Sequence, residues 1–343
     1  LFPQRGRGVV NGLDTPIQMP LNGKQEFTAW GEIGVAIRAY DYMNGVSNRY
    51  GVKRVVLEVD GVETFRSEVD RYRYDENLYI NSWTHGQYMK SFIEPGNKLG
   101  MLHAKNGNRG LITINEERLY RFVYTLTDAF GNSSKVRFTV NGKRSEISPK
   151  AHREKHIFRW NKVNVLHEPG IELIVPRGLL YDDAYLNYAM RADSNDVAFT
   201  YQLNNTAIPM HDYCNISIGL RHMPVADSTK YYVASVAANG KTGYVGGCYY
   251  RGKMHARIRQ LATYTVKTDT IPPQITPVSP KLWTRNGRVV LKVKDEGSGM
   301  KTYRATINGE YVLLGKPNAV SGNLVYEIDK KRITPSEKYL MEA

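Results

Sequence analysis

Of the eight histidines in the chain, one pair has the spacing of a site. In His152-Arg-Glu-Lys-His156 two imidazoles stand four residues apart, which on a helix would put both on one face, as zinc ligands are. A zinc-peptidase motif sets a glutamate directly after the first histidine or directly before the second. Here Glu154 lies in the middle, and Arg153 and Lys155 would put positive charge beside the cation. The run therefore reads as a solvated basic linker, and no metal ligand is assigned to it. His85, His103, His167, His211, His222 and His255 are scattered, and no His-x-His occurs. Asp182-Asp183 is a neighbouring carboxylate pair, but adjacent strand residues point to opposite faces, which suits a turn or a helix cap better than an acid/base couple. Cys214 and Cys248 leave two readings open. They could bridge, closing a loop of roughly 34 residues worth on the order of 3 kcal/mol, or remain unpaired core thiols. Neither carries the signature of an activated nucleophile. No Gly-x-Ser-x-Gly elbow and no phosphate-binding glycine loop is present. The catalytic, cofactor and metal sets of this chain are accordingly empty.

The elements that would carry these residues are strands. Tyrosine contributes 24 residues, glycine 30 and proline 15, a bias towards strands and turns. Alternating segments recur, as in Val55-Val-Leu-Glu-Val59, Arg121-Phe-Val-Tyr-Thr-Leu126 and Tyr231-Tyr-Val-Ala-Ser-Val236, whereas windows with helical periodicity are few. At 41% hydrophobic and 23% charged the composition is that of a globular chain. No stretch approaches the roughly 18 apolar residues of a membrane-spanning helix. The expected class is all-β, built of three tandem Ig-like β-sandwich domains.

An internal repeat sets their boundaries. Val35-Ala-Ile-Arg-Ala-Tyr-Asp41 is followed by a Gly/Ser-rich turn, a strand and Asp60-Gly61; Val290-Leu-Lys-Val-Lys-Asp295 is followed by the same sequence of features, ending at Asn308-Gly309. Asp41 and Asp295 are expected to bond the amides of their own turns. Residues 1–142 form the first domain, with a long inserted loop at about 70–118. Residues 143–269 form the middle sandwich. Residues 270–343, after the joint at Asp269-Thr-Ile-Pro-Pro273, form a last domain incomplete at its C-terminus. On this reading the chain is the middle of a longer polypeptide.

Lysines and arginines exceed acids by 14, which suits an anionic partner. Nucleic acid is not expected, because no recognition helix or RNA-binding sheet signature accompanies the charge. The basic residues gather in Lys143 to Lys162 and in Arg251 to Arg259, and the two stretches are expected to form one basic face. Trp30, Tyr40, Tyr42, Tyr72, Tyr74, Tyr79, Trp83 and Tyr88 crowd the first domain, where half should be filler and the rest available to stack on sugars.

The run from Ala29 to Val52 (Ala-Trp-Gly-Glu-Ile-Gly-Val-Ala-Ile-Arg-Ala-Tyr-Asp-Tyr-Met-Asn-Gly-Val-Ser-Asn-Arg-Tyr-Gly-Val), together with Tyr88 to Asn97, Gly110 to Arg118, Pro176 to Asp183 and Asp269 to Pro273, resembles the non-catalytic region of large lysostaphin/LytM-type zinc metallopeptidases, the M-twenty-three peptidase family, of Gram-negative bacteria. In that family a separate β-rich domain holds one zinc through His-x-x-x-Asp and His-x-His elements and cleaves peptidoglycan cross-links. Neither element occurs here, so no catalytic residue carries over. The resemblance implies an exported accessory region in the periplasm or cell envelope. It would hold or target an upstream metalloendopeptidase domain, with zinc only in that domain and peptidoglycan or another anionic envelope polymer as partner. The alternative is a stand-alone glycan- or peptidoglycan-binding protein without enzymatic activity.

Overall fold

The structure, a computed structural model, describes residues 1–20, 26–43, 45–147, 154–192, 197–318, 320–329, 331 and 340–342. It is all-β, with 49% strand against 6% helix. Buried apolar residues fall into three separate clusters along the chain.

The first cluster lies on an eight-stranded sheet. Its order is Phe2–Val10, Thr28–Gly34, Ser133–Gly142, Leu119–Thr127, Arg54–Val59, Val62–Glu68 and Leu102–Ala104, with Ile112–Ile114 also pairing to Thr28–Gly34. Neighbours are antiparallel except where Ser133–Gly142 meets Thr28–Gly34 in parallel, Asn141 opposite Thr28. The sequence dictates which face is buried. In Leu119–Thr127 the residues Tyr120, Phe122 and Tyr124 go inward while Leu119 and Arg121 face out, the period of two that a half-buried strand requires. Phe122 stacks on Phe138 of the paired strand at 4.8 Å. Asp60 and Gly61, at φ 50° and 82°, make the two-residue turn joining Arg54–Val59 to Val62–Glu68. Asn308 and Gly309, at 51° and 83°, do the same between Ala305–Ile307 and Glu310–Val312.

The segment 70–118 departs from the expected loop. It forms a 3-10 turn, Tyr74–Tyr79, a single helical turn, Ile80–Trp83, and the short strands Thr84–His85, Tyr88–Lys90, Leu102–Ala104 and Ile112–Ile114, of which the last two join the main sheet. Strands of two or three residues are too short to display a period, so the pattern that revealed the long strands could not reveal these. The arm is tied to the core by a buried bond between Ser91 Oγ and Tyr124 Oη, 2.7 Å, and by Trp83 Nε1 donating to the Lys90 carbonyl.

The middle segment is two five-stranded sheets face to face. One runs Asn164–Glu168, Ile171–Val175, Ile208–Gly219, Lys253–Leu261, Cys248–Tyr250. The other runs Ala189–Arg191, Thr200–Gln202, Thr263–Thr268, Tyr231–Val236, Thr242–Gly246. Leu166, Leu173, Ile216, Met254 and Ile258 of the first interleave with Tyr201, Val233, Tyr264 and Val266 of the second, a sandwich core. The third cluster, with Val289, Leu291, Ile307, Leu324 and Tyr326, sits between two three-stranded sheets. Asp295 Oδ1 accepts from the amides of Gly297 and Gly299, the turn role expected of it. Among the described residues Asp41 accepts only the local bond from Tyr42 N, lying in a short strand pair with Arg49–Tyr50.

Candidate binding face

One strand, Ile208–Gly219, organises both surfaces of interest. Its pairing with Lys253–Leu261 slips between Pro209 and Cys214. The extra residues of such a bulge bend the strand and re-aim side chains. Here His211 turns towards the arm of the first sheet, while Asp212 and Tyr213 both face solvent.

Tyr213 lies under two guanidinium groups. Arg257 Cζ is 4.8 Å from its ring centre and Arg259 Cζ 4.1 Å. At an exposed site each contact is worth about 0.5–1 kcal/mol, so the stack chiefly fixes geometry. Arg257 has no carboxylate partner among the described residues; Arg259 reaches only Asp212, at 3.8 Å. Arg259 Nε is buried and unbonded. Register extends the face across the sheet: Arg257 lies opposite Asn215, Asn215 opposite Ile174, and Ile174 opposite Val165. Ile174 and Val165 are exposed. This row of the outer surface thus runs from arginine and tyrosine at one end to aliphatic side chains at the other.

A neighbouring row carries the only close Ser–His contact among the described residues. Ser217 Oγ is 2.8 Å from His255 Nδ1, and His255 Nε2 is 3.2 Å from the Tyr250 carbonyl. If Nε2 donates to the carbonyl, Nδ1 accepts from the serine. The pair lies on a sheet surface with Cys248 directly opposite His255 and Glu172 directly opposite Ser217, and among the described residues the ring's other nitrogen meets a backbone carbonyl rather than a carboxylate, so the pair braces neighbouring strands.

The other sequence candidates separate. His152 lies outside the described residues. His156 sits 2.8 Å from Glu168, which also takes Lys155, at 2.5 Å. Asp182 and Asp183 diverge as adjacent residues should: Asp183 pairs with Arg159 at 2.5 Å and accepts from Trp160 N, whereas Asp182 meets Glu94 of the first part. Desolvation against Glu94 and that like charge push Asp182, which keeps an exposed surface, up to about 6. Cys214 and Cys248 are both free. Cys214 points into the core beside Met210, where burial pushes its thiol up to about 12; Cys248 is exposed across the intervening Lys253–Leu261 strand. A bridge between them is ruled out by that strand and by their opposite faces. Of the two basic stretches, residues 148–153 lie outside the described residues. Lys155 and Arg159 pair with Glu168 and Asp183, while Arg257 lies over Tyr213 on the outer sheet.

The arm and the middle sandwich are clamped together. Tyr79 stacks on His211 at 3.9 Å and meets Tyr181 edge-on at 5.9 Å. Tyr181 Oη donates to the Leu78 carbonyl at 2.6 Å, and Gly96 N donates to the Tyr181 carbonyl at 2.7 Å. A Cβ at Gly96 would stand 2.5 Å from the Leu180 carbonyl oxygen, so the approach requires glycine. Arg5 adds a second tie, 2.6 Å from Glu154 and stacked on Tyr185 at 3.8 Å. Burial holds the His211 imidazole below its ordinary value. Tyr79, read from sequence as a crowded aromatic, is inter-domain filler. Nothing in its spacing could have named His211, 132 positions on in sequence by the numbering.

A two-sheet antiparallel sandwich bearing an open arginine–tyrosine face defines the class of the middle segment. Residues 155–269 match the model of the Zu5-like domain. That is about a third of the chain and coincides with the sandwich just described. A search of curated proteins finds no match. Among solved structures the chain is similar to one reported for the host cell surface retention of a 1.5-MDa bacterial ice-binding adhesin, at 10% identity, covering 88% of this chain and 78% of that one. The TM-score is 0.12, too low to carry an argument. No helix among the described residues is long and apolar enough to cross a membrane.

Proposed function

We propose that this chain is a non-catalytic binding and spacing region of the bacterial envelope, exported to the periplasm or cell surface. Its middle sandwich engages an anionic wall polymer, peptidoglycan being the first candidate. In the setting implied by the sequence resemblance, it holds and orients a separate zinc metalloendopeptidase domain against that polymer. The observation that carries the binding role is Tyr213 flanked by Arg257 and Arg259, an exposed ring with two cations of which one has no carboxylate partner among the described residues. Rings stack on sugar faces and guanidinium groups pair with carboxylates or phosphates. The clamp of Tyr79, Tyr181 and His211 supports the spacing role.

Pull-down on purified sacculi tests the reading. The wild-type chain should be retained at low salt and released as ionic strength rises, because exposed charges are screened within about 8 Å at physiological salt. Reversing Arg257 and Arg259 to Glu should lower retention about tenfold or more. Reversing the exposed Lys292 and Lys316 of the last part should leave it unchanged. Equal retention of all three proteins would refute binding through this face.

A further inference from the structure

The outer row that begins at Arg257 changes chemistry over a fixed distance. Arg257, Asn215, Ile174 and Val165 stand on four adjacent strands in direct register. All four face away from the sandwich core, since Ile258, Ile216, Leu173 and Leu166, their neighbours along each strand, are buried. Three strand spacings separate the first from the last, about 14 Å. At one end are Arg257 and, two residues further along the same strand, Arg259, both over Tyr213. At the other end Ile174 is 54% and Val165 61% exposed. Asn215 lies between them, exposed and without a side-chain hydrogen bond among the described residues. The adjoining row, His255, Ser217, Glu172 and His167, holds one carboxylate, and Lys253 pairs with it at 2.8 Å.

We infer that this row recognises an acidic peptide in extended form, its carboxylate on the two arginines and small apolar side chains on Ile174 and Val165. On the wall-polymer reading above, on which this rests, the peptide arm of the polymer rather than its glycan strand lies across the sheet. The dimensions agree. An extended chain rises about 3.4 Å per residue and its alternate side chains share a side, so an acidic and an apolar residue four positions apart stand on one side about 14 Å from each other. The chemistry agrees at each position. A carboxylate pairs with the guanidinium of Arg257, which has no such partner among the described residues. The Asn215 amide can donate to a peptide carbonyl and accept from a peptide N–H. Small apolar side chains remove Ile174 and Val165 from water. A glycan strand fits the aliphatic end poorly, because sugar hydroxyls set against Ile174 and Val165 would give up water without gaining a hydrogen-bonding partner.

Sacculi cut by an amidase supply the two halves of the polymer separately, as soluble wall peptides and as peptide-free glycan strands. In competition against retention of the full chain on intact sacculi, the peptides should displace the protein, and the glycan strands should require at least tenfold higher concentration to do so. Val165→Thr with Ile174→Thr keeps β-branched side chains suited to a strand while placing a hydroxyl at each position. It should weaken both retention and soluble-peptide affinity about fivefold while the melting temperature holds. Glycan strands that compete as well as the peptides would overturn the inference and leave the wall-polymer reading in place. So would a threonine double variant retained like wild type while Arg257→Glu with Arg259→Glu is released. A wild-type chain that sacculi do not retain would overturn both.

Discussion

Asp182 shows what sequence spacing does and does not disclose about a single residue. Adjacent carboxylates on an extended segment must diverge, and they do, but the partner of Asp182 is Glu94, contributed by a remote part of the chain. Desolvation against that neighbour and its like charge raise its folded-state value to about 6, above the ordinary carboxylate range, although Asp182 keeps an exposed surface. The native protein therefore binds a proton there more tightly than the unfolded chain does. The resulting stabilisation is fully present below the ordinary value near 3.8 and is lost as pH rises through about 6. Asp182→Asn should consequently raise the melting temperature more at pH 8 than at pH 5, and an equal effect at both would contradict the assignment. His211, held below its ordinary value, acts in the other direction: its contribution is present above about 6.5 and is lost as pH falls through the lowered value. Sequence could count two cysteines but not tell a bridge from two thiols, because that depends on which side of a strand each occupies. With Cys214 in the core and Cys248 outside, a thiol reagent should titrate one group in the native protein and two in denaturant. No reactive thiol, or two, in the native state would contradict the arrangement.

Among elements, legibility followed length and turn chemistry. The nine-residue strand Leu119–Thr127 alternates cleanly from Leu119 to Tyr124. The Asp60-Gly61 and Asn308-Gly309 turns adopt the positive φ values for which those residue types are suited. By contrast the arm at 70–118 is made of pieces two to six residues long, each too short for a period to emerge. Its stability comes from tertiary contacts instead. Ser91 and Tyr124 illustrate this: both are buried, and each satisfies the other at 2.7 Å. Tyr124→Phe keeps the ring but leaves the serine hydroxyl unpaired, which costs about 1–3 kcal/mol. Chemical denaturation should register that loss without a change in the slope with denaturant. A change under about 0.5 kcal/mol, the range typical of surface substitutions, would show that the arm does not depend on this bond.

At the scale of the molecule the two junctions are built differently, and the difference sets what can move. The first part meets the middle sandwich through stacked rings, backbone bonds and a glycine-dependent approach at Gly96. The last part follows Pro272-Pro273 and is held chiefly by one carboxylate. Asp269 accepts from Ile271 N at 3.2 Å and from Ser298 N at 2.6 Å, reaching across the joint to the turn that Asp295 also organises. Gly297 lies so close that a Cβ there would stand 2.3 Å from Asp269 Oδ2. The hydrogen bond to Ser298 holds the Asp269 carboxyl below its ordinary value, so the contact persists at neutral pH and loosens only in strong acid. A sequence shows the prolines of such a joint but not the carboxylate that locks it. Asp269→Ala should release the last part while leaving all three cores intact. Small-angle scattering should then show a larger radius of gyration and a longer maximum dimension, with the melting temperature little changed. Tyr79→Ala, at the other junction, should instead lower the melting temperature, because it strips a ring from a partly buried stack. Identical scattering from wild type and Asp269→Ala would mean that the prolines alone hold the joint, and the lock at Asp269 would have to be abandoned.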